Sequence, residues 1–222
     1  NTGYPFKVDP PRIPEDFNPV GSYRRTFIIP EAWLNRQVFL HFDGVESAFY
    51  VWVNGQKAGL GKDSRTPVEF NITPYLQSGV NTLAVEVYRW SDGSYLECQD
   101  FWRLSGIFRD VYLFATPSLH LRDFEVKASF ADASQQAHVK VTARVRNYGT
   151  TGQIKSSVEV ELLDAAGSPI GAGILGKGET TYMHPGAESI IPIEFTVSRP
   201  SLLSSENTQI YTVLLTLRND KG

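Results

Sequence analysis

SAFYVWVNGQKAGLG, residues 47–61, decides the fold. Ser47–Val53 is dense in aromatic and β-branched residues, which suit a pleated, half-buried surface. Asn54–Gly55 is the two-residue turn that tolerates positive φ at both central positions, and Gln56–Gly61 returns as the second arm of a hairpin. Trp52 alternates with Val51 and Val53 and is assigned to packing. Outward from this hairpin the same texture continues. Arg65–Ile72 reads as a strand, and Thr73–Pro74 resembles an N-cap with Pro at N1 of a one-turn helix ending near Gly79. Asn81–Tyr88 is a strand with Leu83, Val85 and Val87 on one face. Upstream, Tyr23–Ile29 and Gln37–Phe42 are strands separated by a short bend at Pro30–Asn35. Residues 1–22 hold Pro5, Pro10, Pro11, Pro14 and Pro19, whose fixed φ and missing donors predict an extended arm on the surface.

Arg89–Val111 (RWSDGSYLECQDFWRLSGIFRDV) joins the Asn81–Tyr88 strand to another at Val111 and Leu113. A connection of this length is uncommon in a compact domain unless functional or disordered. Trp90, Tyr95, Phe101, Trp102, Ile107 and Phe108 are not the composition of a disordered segment. Asp92, Glu97, Gln99, Asp100, Arg103, Arg109 and Asp110 supply polar chemistry, so the loop is a place to bind something polar such as a sugar. Its acids have bland readings too. Asp92–Gly93 is a turn dipeptide, Glu97 a structural hydrogen-bonding acid, Asp110 an ion-pair or turn partner of Arg109, and Asp100 a partner of Arg103. Trp90 and Trp102 either stack on a sugar ring or, with Tyr95 and Phe101, hold the loop rigid; the second reading is preferred.

Thr116–Pro117 marks a seam. Beyond it tryptophan disappears and the alternating strands lengthen: Val139–Val145, Val158–Leu162, Ile191–Val197 and Tyr211–Leu217, with turns at Tyr148–Gly152 and Ala165–Gly167. Six strands in about a hundred residues suggest an immunoglobulin-like or fibronectin-like sandwich. Asn219–Asp220–Lys221–Gly222 looks like the tip of a hairpin, so the closing strand of this sandwich is expected to be missing and a neighbour's edge exposed. The sequence thus predicts an all-β chain: a jelly-roll β-sandwich over 1–117, then an immunoglobulin-like β-sandwich over 118–222.

The formal charge of −3, with both signs interspersed, gives no basic stripe for nucleic acid. No apolar run approaches the ~18 residues of a membrane span. One cysteine, Cys98, forms no internal disulfide; this fits the cytoplasm and is compatible with the periplasm. His41, His120, His138 and His184 lack zinc spacing, no G-x-S-x-G elbow is present, and the glycines of 171–178 lack the strand–helix context of a phosphate loop.

RWSDGSYLE-x-QD-x-W-R-x-SGIFRDV resembles the signature of the amino-terminal jelly-roll domain of family 2 glycoside hydrolases of the β-galactosidase type. Asn1–Tyr4–Pro5, Pro14–Gly21–Ser22–Tyr23, Phe42–Asp43–Gly44–Val45 and Val51–Trp52–Val53–Asn54–Gly55 point the same way. The resemblance implies a non-catalytic amino-terminal fragment of a retaining β-galactosidase that cleaves terminal β-D-galactosyl residues, as in lactose. The catalytic glutamates would lie in a barrel outside this chain, and the parent would be a homo-oligomer using Na and Mg, with neither ion expected on the fragment. Asp100 matches an aspartate that contacts the galactosyl group and ligates sodium, tasks that suit a hard, acceptor-only carboxylate. Asn1 matches an asparagine that contacts the same sugar. The chain departs from the family at the end of its second domain, where Leu203 and Thr208 stand for the tryptophan and second proline of P-x-L-W-S-x-E-x-P. Rival readings are a free-standing carbohydrate-binding module, a scaffold for subunit contacts, and the same fragment of a β-glucuronidase or β-mannosidase.

Overall fold

A computed structural model describes residues 3–97, 102–131, 135–153, 155–201 and 210–219. It divides the chain into two compact units, Asn1–Pro117 and Ser118–Gly222, both built almost wholly of antiparallel strands.

In the first unit β1 (Val20–Ile28), β2 (Gln37–Phe42), β3 (Val45–Glu46), β4 (Ala48–Val53), β5 (Gln56–Lys62), β6 (Val68–Asn71) and β7 (Val80–Tyr88) precede the long loop. The loop carries a single helical turn, α1 (Ser94–Glu97), and a short strand, β8 (Gly106–Ile107), before β9 (Val111–Thr116). One sheet has the order β1-β7-β4-β5, a second β6-β2-β9, and β3 pairs with β8. The 89–111 connection therefore has secondary structure of its own and carries the chain from a central strand of one sheet to an edge strand of the other. Sandwich topology alone puts it at an end of the unit, where loops gather.

The hairpin at 47–61 forms as its sequence requires. Asn54 and Gly55 both have positive φ, 51° and 80°, and a register shift between Val51 and Trp52 absorbs one extra residue on β5. Alternation then sends Phe49, Val51 and Val53 into a core with Val38, Leu40, Phe42, Phe70, Ile72, Val85 and Val87. Two local expectations change. β1 starts at Val20, inside the stretch read as an arm, because its register with β7 pairs Val20 with Tyr88. Thr73 is not an N-cap: its hydroxyl oxygen accepts the Val38 amide at 2.8 Å, and a short 3₁₀ turn spans Thr73–Tyr75.

The second unit places β10 (Leu119–Ala131), β11 (Gln136–Asn147) and β14 (Glu188–Ser198) in one sheet, in the order β10-β11-β14. The other sheet is β13-β12-β15, from β12 (Ser157–Leu163), β13 (Pro169–Glu179) and β15 (Thr212–Arg218). Val139, Val141, Ala143 and Val145 face Val158, Val160 and Leu162 across the core. Each unit also buries one asparagine. Asn81 accepts from Asn54 and the Gln77 amide and donates to the Gln77 and Gly79 carbonyls; Asn147 accepts from Gly149 and donates to Thr151, Met183 and His184 carbonyls. With their donors and acceptors engaged, these amides sit inside without an unpaired group, which would cost about 1–3 kcal/mol.

On β12, Glu159 receives Arg218 Nε at 2.7 Å and Lys177 Nζ at 3.3 Å. The Arg218 hydrogen bond is the main reason its carboxyl sits below the usual carboxylate range, with Lys177 adding to it. A depressed folded-state pKa stabilises fully above the unfolded carboxyl's ordinary value and is lost as pH falls through the depressed one. Arg218→Ala is therefore expected to move the acid limb of the second unit's stability curve to higher pH. Thermal melts between neutral and strongly acid pH check this, and an unmoved limb would refute it.

Candidate functional site

Both shoulders of the long loop are pinned to the first sandwich. On the incoming side Asn18 brackets Trp90, accepting its amide and donating to its carbonyl, each at 2.9 Å. Trp90 is buried in a ring cluster with Phe6 (5.2 Å, edge-on) and Tyr4 (5.8 Å), and Tyr4 also meets Tyr95 at 5.1 Å. Tyr4 donates to the Ser94 carbonyl at 2.9 Å, and Tyr95 to the Arg12 carbonyl at 2.6 Å. The proline-rich arm is thus stitched to the loop, because its aromatic residues have nowhere drier to go. α1 follows, and Glu97 at its end accepts both the amide and the hydroxyl of Ser64.

On the outgoing side Glu46 does the same work. Its Oε2 accepts the Leu104 amide at 2.8 Å and the Ser105 amide at 3.4 Å, and Arg65 lies 3.6 Å away. Arg65 donates to the Trp102 carbonyl at 2.7 Å. Ser105 and Gly106 then take left-handed φ values of 61° and 73°, turning the chain into β8 against β3. Arg103 joins the shoulders. Its guanidinium carbon lies 4.3 Å from the Tyr4 ring centre and 4.5 Å from the Trp90 ring, a cation held against two aromatic rings.

Asn1 and Asp100, the expected sugar contacts, lie outside the described residues, as do Cys98 and Phe101. The structure instead brings together Tyr4 and Arg103, each three positions further along the chain than one of them. From the sequence Arg103 was read as a partner of Asp100, and Tyr4 only as part of the Asn1–Tyr4–Pro5 element. The remaining acids take their structural roles. Asp92 pairs with Lys62 at 2.7 Å, and this ammonium holds its carboxyl below the usual range. Glu97 is the hydrogen-bonding acid expected of it. Arg109 donates to the Asp43 and Arg65 carbonyls rather than to its neighbour Asp110. Trp90 is a core ring, but Trp102 is 84% exposed and does not brace the loop as expected.

The hollow lined by Glu46, Ser64, Arg65, Ser94, Glu97 and Trp102 has room of about 10 Å³, about one water molecule. A larger groove, about 730 Å³, is lined by apolar Phe27, Leu40, Phe42, Ile72 and Val85 together with polar Ser22, Tyr23, Arg24, Arg25 and Tyr112. Among the described residues no three His, Cys, Asp or Glu side chains converge.

Fold and loop together define a tandem β-sandwich chain that presents one long, pinned loop. It belongs to family 2 of the glycosyl hydrolases: the model of that family's sugar binding domain matches residues 1–117, and a second family 2 model matches 119–222. A β-galactosidase of Priestia megaterium is 42% identical over the whole chain, and one of Halalkalibacterium halodurans 40%. The chain spans about a fifth of those relatives, 22% and 21% of their lengths. Among solved structures, a β-glucuronidase of Bacteroides uniformis superposes with a TM-score of 0.81 at 25% identity, covering 92% of this chain and 25% of that one.

Proposed function

We propose that this chain is the non-catalytic amino-terminal portion of a retaining β-galactosidase, and that it lends Asn1 and Asp100 to an active site whose catalytic carboxylates lie elsewhere in the whole protein. The observation that carries the reading is the Tyr4–Arg103–Trp90 stack. It holds Tyr4 of the arm against Arg103 of the loop, which supports the reading that these two segments, far apart in sequence, serve one ligand. An amide offers donor and acceptor to neighbouring sugar hydroxyls, and a carboxylate accepts from them more strongly than a neutral group does. Relatives that are about 40% identical and are named β-galactosidases favour a galactoside over the glucuronide suggested by a structural neighbour at 25%.

The purified 222-residue chain is expected to leave a chromogenic galactoside intact and to show no heat with millimolar galactose in calorimetry. Turnover abolished by Asp100→Asn would overturn the non-catalytic reading, and galactose binding would favour a free-standing sugar module. In the whole protein, Asp100→Asn is expected to lower kcat/KM about 10- to 100-fold, because a hydrogen bond to a charged group is worth roughly 1.5–3 kcal/mol and each 1.36 kcal/mol is tenfold in rate. Unchanged kinetics in that variant would remove Asp100 from the site. Faster hydrolysis of an aryl glucuronide or mannoside than of the galactoside would move the substrate class.

A further inference from the structure

The turn between β5 and β6 grips the long loop at two points. Asp63 takes a left-handed φ of 76°, which ends β5 at Lys62 and starts the turn. Ser64, only 2% exposed, then gives Glu97 both its amide, at 3.3 Å, and its hydroxyl. Its neighbour Arg65 donates to the Trp102 carbonyl at 2.7 Å and stands 3.6 Å from Glu46. Glu46 in turn accepts the amides of Leu104 and Ser105, so guanidinium and carboxylate together hold the outgoing chain. In the sequence Glu97 and Trp102 stand on either side of residues 98–101. Two adjacent side chains of one turn thus hold the residue before that stretch and the residue after it. The space left among Glu46, Ser64, Arg65, Glu97 and Trp102 is about 10 Å³, about one water molecule, so clamp and loop meet with little slack. Lys62, at the start of the same turn, contributes less. It pairs with Asp92 at 2.7 Å, but the two side chains are 47% and 51% exposed, and such pairs are weak in water.

We infer, on the reading that Asp100 meets the sugar, that Ser64 and Arg65 are its positioning residues: they fix the two flanks of its segment and act on the reaction only through it. Asp100 lies three residues beyond Glu97 and two before Trp102, so a shift at either flank reaches it through at most three peptide bonds. A misplacement of about 1 Å can cost roughly a hundredfold in rate. The groups suit the task. A hydroxyl and an amide on one carboxylate fix its rotation as well as its place, and hydrogen bonds to a charged acceptor are the stronger kind. A planar guanidinium serves the Trp102 carbonyl and the Glu46 carboxylate in one fixed geometry, which a compact ammonium on a flexible stem does not.

Galactoside kinetics of the whole protein test it, with Ser64→Ala, Arg65→Lys and Lys62→Ala made singly and each combined with Asp100→Asn. Ser64→Ala and Arg65→Lys are each expected to lower kcat/KM about tenfold while Asp100 is present. With Asp100→Asn already in place the same changes are expected to cost less than about twofold, because residues that act through one another are not additive. Lys62→Ala is expected to stay within about twofold of the wild type throughout. A merely structural role would give the same loss in both backgrounds, and that result would overturn the proposal. So would unchanged kinetics in the single variants, or a loss in Lys62→Ala as large as in the other two. Asp100→Asn without effect is a different result: it removes Asp100 from the site, and the proposal with it. Ser64→Ala deletes one hydroxyl and keeps the amide, so it decides the matter alone if Arg65→Lys does not fold.

Discussion

Phe49→Ala is expected to destabilise the first unit by about 3–5 kcal/mol, the usual cost of deleting a buried phenyl ring. The ring is 1% exposed and stands 4.8 Å from Phe42 and 5.9 Å from Phe70, so its removal opens a void beside two aromatic side chains. Its site is also made by absence. Phe49 pairs with Gly61 across the β4–β5 hairpin, and a Cβ at Gly61 would lie 2.3 Å from the ring. Gly59 leaves the same room for Phe70, at 2.4 Å. Gly61→Ala alone is therefore expected to cost about 1–3 kcal/mol by overpacking. The double variant should cost clearly less than the sum, because the added methyl falls into the space the ring vacated; contacting pairs couple by about 0.5–3 kcal/mol. Urea unfolding followed on the first unit's transition checks both numbers. Simple additivity would mean that the ring does not lie over Gly61.

Arg103→Ala is expected to loosen the 89–111 loop by roughly 2–4 kcal/mol locally. Two rings flank the guanidinium at 4.3 and 4.5 Å, and its terminal nitrogens are buried, where each such face is worth about 2 kcal/mol. The alkyl stem adds packing that alanine also removes. Arg103→Lys is not expected to restore the loop, since a compact ammonium does not stack as a planar guanidinium does. The readout is local: faster amide exchange through residues 102–108 and a changed emission of buried Trp90, with little movement in the hairpin at 47–61. If exchange rises everywhere, Arg103 is simply a stability residue of the unit. If Arg103→Lys behaves as the wild type, stacking is not what holds the loop.

The hairpin and the long loop differ in how much of each is written in neighbouring residues. The hairpin at 47–61 was legible because turn chemistry and alternation are written in adjacent residues, and Phe49, Val51 and Val53 went inside as their spacing required. The turn at Asp92–Gly93 was legible for a related reason, since a turn dipeptide is read from adjacent residues, whereas the partners of Asp92 and Glu97, Lys62 and Ser64, lie in a distant part of the chain. Trp102 was misread because an aromatic ring in a rigid loop looks the same in sequence whether it packs or stands in solvent. Asn18 and Tyr4 were passed over because proline density announces only that the arm is extended, and says nothing of what it lies upon.

By itself, then, the sequence determined that this chain is all-β, that it breaks after Thr116–Pro117, and that one long, ring-rich loop leads into the last strand of its first unit; these follow from patterns a few residues wide. Only the tertiary structure decided that Tyr4 and Arg103 meet and that Asn18 brackets Trp90. Alternation tells a residue which face it occupies, not which distant strand or ring will stand opposite. That partner is chosen by how two sheets close on one another, a property of the whole unit that no short stretch contains.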